Sequence, residues 1–154
     1  MKTLRFILIT LLCCACYLPV AKAAKKAPHF SAPTLSGPEL AFEAQAPALL
    51  IFWASWCGSC LAEIPKLKGL NDKWGHAIQF IGVNVNKHPK DGAKTAQVYA
   101  IPYPSVSDPA LEIADQFNVQ GTPTLIAVDR HGHIIYQTHR VDKKLADTLE
   151  ALTF

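Results

Sequence analysis

The sequence predicts an α/β protein in which helices flank a central mixed sheet. Short apolar runs of strand length alternate with segments whose apolar residues recur every three or four positions. A strand pair joined by a tight turn and a final helix follow near the end, so the sheet includes antiparallel strands. The 154 residues, of which 50% are hydrophobic, suffice for one domain with a substantial core and are too few for two.

The first half of the chain predicts a hairpin, a buried strand and a long helix. Apolar pieces at residues 30–35 and 40–42 indicate a small N-terminal hairpin. Residues 48–54 form a continuous apolar run, which is typical of a central strand buried on both faces. Pro65 lies inside the helix that follows and removes one backbone donor, so we expect a kink there. The apolar face of that helix consists of Leu61, Ile64, Leu67, Leu70 and Trp74.

The second half of the chain predicts four strands and three helices. The strands are expected at residues 77–85, 105–107, 124–128 and 134–138, and the helices at residues 91–100, 109–118 and 142–152. Pro109 takes an early position in its helix, where proline is well tolerated. The residues expected to point inward from that helix are Leu111, Ile113, Ala114 and Phe117. The turn at residues 129–132 joins the last two strands in a hairpin.

The first 23 residues have the features of a secretory signal peptide. Lys2 and Arg5 precede an apolar stretch over residues 6–20, and small residues end the segment. We expect cleavage after Ala23, leaving a single domain over residues 24–154 in the periplasm. Lipoprotein processing is one alternative, because Cys13, Cys14 and Cys16 are present. An uncleaved anchor is the other, although this stretch is shorter than the roughly twenty residues of a membrane span. Contact with a membrane is expected only through such a retained leader.

The charge of the chain argues against a nucleic-acid partner. Of the 15 Lys and Arg residues, three (Lys2, Arg5 and Lys22) lie in the leader, which leaves 12 against 12 Asp and Glu. A neutral domain lacks the basic surface that phosphate groups require.

Two cysteines remain after the leader, and their spacing points to chemistry. Cys57 and Cys60 close too small a loop to stabilise a fold much by a disulfide. They stand where a buried strand meets a helix, whose first N–H groups and dipole stabilise a thiolate. We therefore expect Cys57 to be an exposed attacking thiolate and Cys60 a buried resolving thiol. Trp56 is expected to shield the pair from bulk water.

Other uses of the two cysteines fit the sequence less well. A zinc site needs four ligands, and the remaining candidates are six scattered histidines, of which His131 and His133 flank a turn. A peroxidatic cysteine calls for threonine and proline where Ala54 and Leu50 stand. We expect neither a metal nor a cofactor.

The motifs resemble those of the thioredoxin superfamily. The resemblance rests on residues 52–60 (FWASWCGSC) and on residues 121–124 (GTPT), in that order. It is closer to the TlpA/ResA/DsbE-like periplasmic thiol–disulfide oxidoreductases. The features that point there are the secretory start, the sequence CLAEIP from Cys60 onward and a strand–helix insertion around residues 87–107. It covers about residues 28–152 and implies a thioredoxin-like fold.

The resemblance also implies roles for individual residues. The Thr122–Pro123 bond would be cis and lie against the cysteines, so that Trp56, Thr122 and Pro123 bind the client polypeptide; a plain turn is the alternative. Glu63 looks like the acidic residue that takes a proton from Cys60, and a surface pair with Lys66 is the alternative. Thioredoxin has an aspartate as proton acceptor where this chain has Ile51, so Glu63 becomes more important as the proton acceptor here.

Three functions are compatible with these residues. The preferred one is reduction of disulfides in periplasmic proteins, apocytochrome c being one client type, with electrons from a membrane thiol donor. The others are the same chemistry run as an oxidant, and a thioredoxin-like binding or chaperone module. A dedicated oxidant usually has a histidine inside the motif, which stabilises the reduced form. Gly58 and Ser59 stand there instead, which favours a reductase.

Overall fold

The computed structural model describes residues 24–154, and the predicted signal peptide lies outside the described residues. The strands are β1 (Phe30–Pro33), β2 (Glu39–Phe42), β3 (Ala48–Trp53), β4 (Gln79–Asn84), β5 (Ser105–Ser107), β6 (Thr124–Val128) and β7 (Ile134–Thr138). The helices are α1 (Gly58–Trp74), α2 (Pro89–Val98), α3 (Glu112–Gln116) and α4 (Lys143–Ala151). None of the helices described here is long and apolar enough to cross a bilayer.

The central sheet is mixed, as predicted. Its five strands run in the order β5-β4-β3-β6-β7. The pairs β3–β4 and β4–β5 are parallel, whereas β6 runs antiparallel to both β3 and β7. The predicted N-terminal hairpin β1–β2 forms a separate two-stranded sheet, which a bridge from Thr34 to Val106 joins to β5.

Strand β3 lies at the centre of the fold because all six of its side chains are apolar and buried. Successive side chains of a strand point to opposite faces, so β3 supplies both cores. Leu50 and Phe52 pack with the hairpin and α3 on one face. Leu49, Ile51 and Trp53 pack with α1 and α4 on the other. The loop that leaves β3 therefore emerges between two packed layers, directly before α1.

The predicted helix over residues 109–118 is wrong in its length and in one inward residue. Helix α3 spans only Glu112–Gln116, and Pro109 lies in the turn before it. Buried Asp108 accepts hydrogen bonds from the first helical N–H groups and so sets the start of α3. Leu111 has φ 63° and is 44% exposed, contrary to the prediction. The other three inward residues, Ile113, Ala114 and Phe117, are buried as expected.

Candidate active site

The two cysteines lie at the N-terminal end of α1 and form a disulfide bond. The Cα atoms of Cys57 and Cys60 are 5.2 Å apart, and the S–S distance is 2.01 Å. Cys57 is the N-cap of α1, and the backbone N–H of Cys60 donates to the Cys57 sulfur over 3.2 Å. No acidic residue occupies the first turn of the helix. The N-terminal end of α1 therefore stabilises negative charge on the Cys57 sulfur once the disulfide is reduced.

Cys57 is buried in the disulfide form, contrary to the expectation of an exposed sulfur. Its exposure is 5%, against 3% for Cys60. The reason is geometric, because the Cys57 side chain turns inward to cap α1 and to bond to Cys60. Trp56, which directly precedes Cys57, is 70% exposed and forms part of the wall of a surface groove. The Trp56 ring is therefore the large exposed apolar surface next to Cys57.

The loop before β6 brings Thr122 and Pro123 to the cysteines. The Thr122–Pro123 peptide bond is cis, as the family resemblance implies. Pro123, Cys60 and Tyr103 line one small cavity of about 10 Å³. Burial raises the pKa of Tyr103, so its phenol stays neutral beside the disulfide. The Thr122 hydroxyl oxygen is buried and has no hydrogen-bond partner within residues 24–154.

Residues 139–141, here called the bridging segment, connect the loop before β6 to α1. Nδ1 of His139 lies 2.9 Å from the carbonyl oxygen of Pro123, and Nδ1 must carry the proton because a carbonyl only accepts. Two residues on, the Val141 N–H donates to Oε2 of Glu63 over 2.7 Å. The bridging segment therefore holds the two halves of the site together. Its sequence contains no motif that signals this role.

Glu63 lies on α1 one turn beyond Cys60, and both of its carboxylate oxygens have donors. Besides the Val141 contact, Oε1 accepts from Nζ of Lys66 over 2.9 Å. The Glu63 side chain is 12% exposed and that of Lys66 is 55% exposed. The Lys66 pair is thus present, and the shorter contact is the one to Val141, 78 residues away in the sequence.

A buried amide network holds the loop that carries the cysteines. The Ser55 N–H donates to Oδ1 of Asn86 over 2.8 Å, and Nδ2 of Asn86 donates to Oγ of Ser55 over 2.6 Å. Nδ2 of Asn84 donates to the same Oδ1 over 2.9 Å. Both asparagines are almost fully buried. Sequence reasoning missed them, although one asparagine at the end of an apolar strand and a second two residues beyond it are a usable signal of a buried polar network.

The site offers thiol chemistry and no cluster of metal ligands. Within residues 24–154, no three His, Cys, Asp or Glu side chains lie close enough together to hold a metal ion. Two sulfurs at a helix N-terminus can exchange two electrons with another disulfide or dithiol through a mixed disulfide.

Comparison with known proteins agrees with this chemistry. The sequence profile of the Redoxin family matches residues 22–152. The chain belongs to the Redoxin family. The thiol-disulfide oxidoreductase ResA of Halalkalibacterium halodurans is 25% identical to this Redoxin over 119 residues, which are 75% of this chain and 68% of ResA. The thiol:disulfide interchange protein DsbE of Allochromatium vinosum is 30% identical over 122 residues, 76% of this chain and 66% of that protein.

A solved structure shows the same fold. The thiol-disulfide oxidoreductase from Bacteroides fragilis matches this Redoxin with a TM-score of 0.74 at 26% identity, covering 83% of this chain and 99% of that one. Together with the Cys57–Cys60 pair, these matches make the protein a thiol–disulfide oxidoreductase of the ResA and DsbE type with a thioredoxin-like fold.

Proposed function

We propose that this oxidoreductase reduces disulfides in extracytoplasmic client proteins. The reduced Cys57 thiolate attacks a client disulfide, so that a Cys57–client S–S bond forms and the other client sulfur leaves as a thiolate and takes up a proton. Cys60 then loses its proton and attacks the Cys57 sulfur, which releases the second client thiolate. Two electrons pass to the client, and the protein is left with the disulfide seen in the structure.

The observation on which this proposal rests is the position of the Cys57 sulfur at the N-terminus of α1. The N–H of Cys60 points at that sulfur, which makes Cys57 the better nucleophile of the pair. The hydroxyl of Ser59 lies 3.5 Å from the same sulfur. A neutral hydroxyl stabilises a thiolate less than a charged imidazole, so the reduced form is less favoured than in a histidine-containing motif. This supports the reducing direction.

Client binding is proposed to involve Trp56, Thr122 and Pro123. The N–H and C=O of Thr122 make no backbone hydrogen bond within the described part of the chain. Both groups are therefore free to pair with an extended client segment, as an added strand pairs with a sheet edge. Pro123 has no N–H, and His139 already occupies its carbonyl oxygen, so Thr122 is the residue left to pair.

The proposed place of the reaction rests on the predicted leader. We infer that residues 1–23 export the protein to the periplasm, with cleavage after Ala23 or retention as an anchor, and that the folded part is the single domain over residues 24–154. Electrons are then proposed to come from a membrane thiol donor. Apocytochrome c, whose cysteines can form a disulfide outside the cytoplasm, is one proposed client.

Glu63 is proposed to receive the proton that Cys60 gives up. It lies one helical turn from Cys60 and is largely shielded from water. Its contacts with Val141 and Lys66 give it a structural function as well.

The reduction potential of the Cys57–Cys60 pair tests the direction. Equilibration with defined glutathione or dithiol buffers should give a value near or below about −270 mV, as for thioredoxin. A value near about −120 mV would make the protein an oxidant instead. In cells, Cys60→Ala should trap clients on Cys57 as thiol-sensitive adducts. The control is the double variant Cys57→Ala/Cys60→Ala, and a binding module without catalysis would give no adducts with either variant.

A further inference from the structure

One histidine side chain is hydrogen-bonded to the loop that leads into β6. Nδ1 of His139 lies 2.9 Å from the carbonyl oxygen of Pro123 and 3.2 Å from Oγ1 of Thr124. Because the carbonyl only accepts, the hydrogen lies on Nδ1 and is shared between the two oxygens. The Thr124 hydroxyl in turn donates to the carbonyl oxygen of Gly121 over 2.6 Å. A single imidazole N–H therefore connects to both ends of residues 121–124.

The bond from His139 continues the connection between β6 and β7 beyond the end of their main-chain pairing. The last paired residues of the two strands are Leu125 and Thr138. His139 follows Thr138 directly and is exposed, whereas Pro123 is buried. The carbonyl of a buried residue requires a hydrogen-bond donor, and the imidazole provides it. The side chain thus supplies a contact that the strand pair no longer supplies.

The loop held in this way carries the groups that are proposed to receive the client. Thr122 lies between the two bonded carbonyl groups, those of Gly121 and Pro123. Its own N–H and C=O make no backbone hydrogen bond within the described part of the chain. Pro123 lines the same small cavity as Cys60. The orientation of the free groups of Thr122 therefore depends on how firmly the neighbouring peptide groups are held.

We propose that His139 is a positioning residue for client binding, because its Nδ1–H holds the loop in which Thr122 presents its N–H and C=O to an extended client segment. This inference rests on the proposed function. His139 acts through the loop and takes no part in the transfer of electrons. A loop that is already held in place loses less conformational entropy when the client binds. The benefit is limited to substrates that pair with Thr122.

Two substrates with the same disulfide bond test this role. One is an extended peptide whose single cysteine is linked to a small aromatic thiol, and the other is a cysteine capped at both ends and linked to the same thiol. With either substrate, reduced Cys57 forms a bond to the substrate cysteine, and the aromatic thiolate leaves and is measured by its absorbance. The readout is the kcat/KM of the peptide divided by that of the capped cysteine. A change in thiol chemistry alone alters both values equally and leaves this ratio unchanged.

Two replacements of His139 separate the hydrogen bond from the charge of the ring. His139→Ala removes the donor, and the ratio should fall about tenfold, mainly through a higher KM for the peptide. His139→Asn should keep the ratio within about twofold of the wild-type value. The reason is that Nδ2 of asparagine stands as many bonds from the backbone as Nδ1 of histidine and is also a donor. Asparagine carries no charge, so it would not restore an electrostatic role.

A matched control and a stability measurement accompany the kinetics. His76 is an exposed histidine just after α1, and His76→Ala should leave the ratio at the wild-type value. Urea unfolding of each oxidised variant reports the stability of the fold. If His139→Ala lowered the stability and kept the wild-type ratio, His139 would stabilise the fold without positioning the client, and the proposal would be wrong.

A second result would also overturn the positioning role. It is a His139→Asn variant whose ratio falls as far as that of His139→Ala, because the effect would then belong to the ring or its charge. Failure of the proposed reductase function would look different. In that case the reduced wild-type protein would release no aromatic thiol from either substrate.

Discussion

Replacement of Glu63 distinguishes a proton acceptor from a structural anchor. The Val141 N–H donates to a charged acceptor that is 12% exposed, a bond of about 1.5–3 kcal/mol. The pair with Lys66, which is 55% exposed, adds about 0.2–1 kcal/mol. We expect Glu63→Ala to lower the free energy of unfolding by about 2–3 kcal/mol. Glu63→Gln keeps an acceptor oxygen for Val141 and should cost about 1 kcal/mol.

The exchange rate should respond to the same two variants in a different pattern. Neither glutamine nor alanine accepts a proton near neutral pH, so both should slow exchange to a similar degree if Glu63 receives the Cys60 proton. If Glu63 only anchors the bridging segment, Glu63→Gln should exchange like the wild type and Glu63→Ala alone should change. We expect the first pattern.

Stopped-flow tryptophan fluorescence between about pH 5 and 9 measures exchange, and urea unfolding of the oxidised protein measures stability. Glu150→Gln is the matched control, since Glu150 is 57% exposed and pairs with Lys73 only at 4.0 Å. An unchanged rate–pH profile for Glu63→Gln would refute the proton-acceptor role. Equal stability of Glu63→Gln and Glu63→Ala would refute the energy assigned to the Val141 bond.

Three further predictions concern the support of the site and the last helix. Asn86→Ala should lower the free energy of unfolding, measured with urea, by about 2–4 kcal/mol, because it leaves Ser55 and Asn84 with buried unpaired groups. Asn86→Asp keeps the acceptor for the Ser55 N–H and should lower it less. Gly92→Ala should also destabilise, since the new Cβ would lie 2.4 Å from Oδ1 of Asn84, and a more stable variant would show that the network yields easily. The hydrogen bond from the Leu145 N–H lowers the pKa of Asp142. The Asp142 carboxylate therefore stabilises the folded protein above the unfolded-state pKa of about 3.9. This stabilisation is lost as the pH falls through the lower pKa of the folded state. Asp142→Asn should flatten acid unfolding curves below about pH 4, and an unchanged curve would contradict this.

Much of the fold and the centre of the site could be predicted from the sequence. The apolar run of β3, the helical spacing of α1 and the two cysteines between them are all local patterns. Local periodicity decides which segments form strands or helices, and a helix start stabilises a thiolate wherever it lies in the fold. The cysteine pair and its chemistry therefore followed from a few consecutive residues. Residues 121–124 identified Pro123 as a site residue only through the family resemblance.

The tertiary structure alone decided how the site is held and what surrounds it. Asn86 binds Ser55 across 31 residues, and Val141 binds Glu63 across 78. Leu111 occupied a position that helical periodicity assigned to the core, and Asp108 turned it outward. Such contacts depend on which segments the packed sheet brings side by side. A periodic pattern records the preference of a residue for burial and not the identity of its distant partner, so these contacts became visible only in the folded chain.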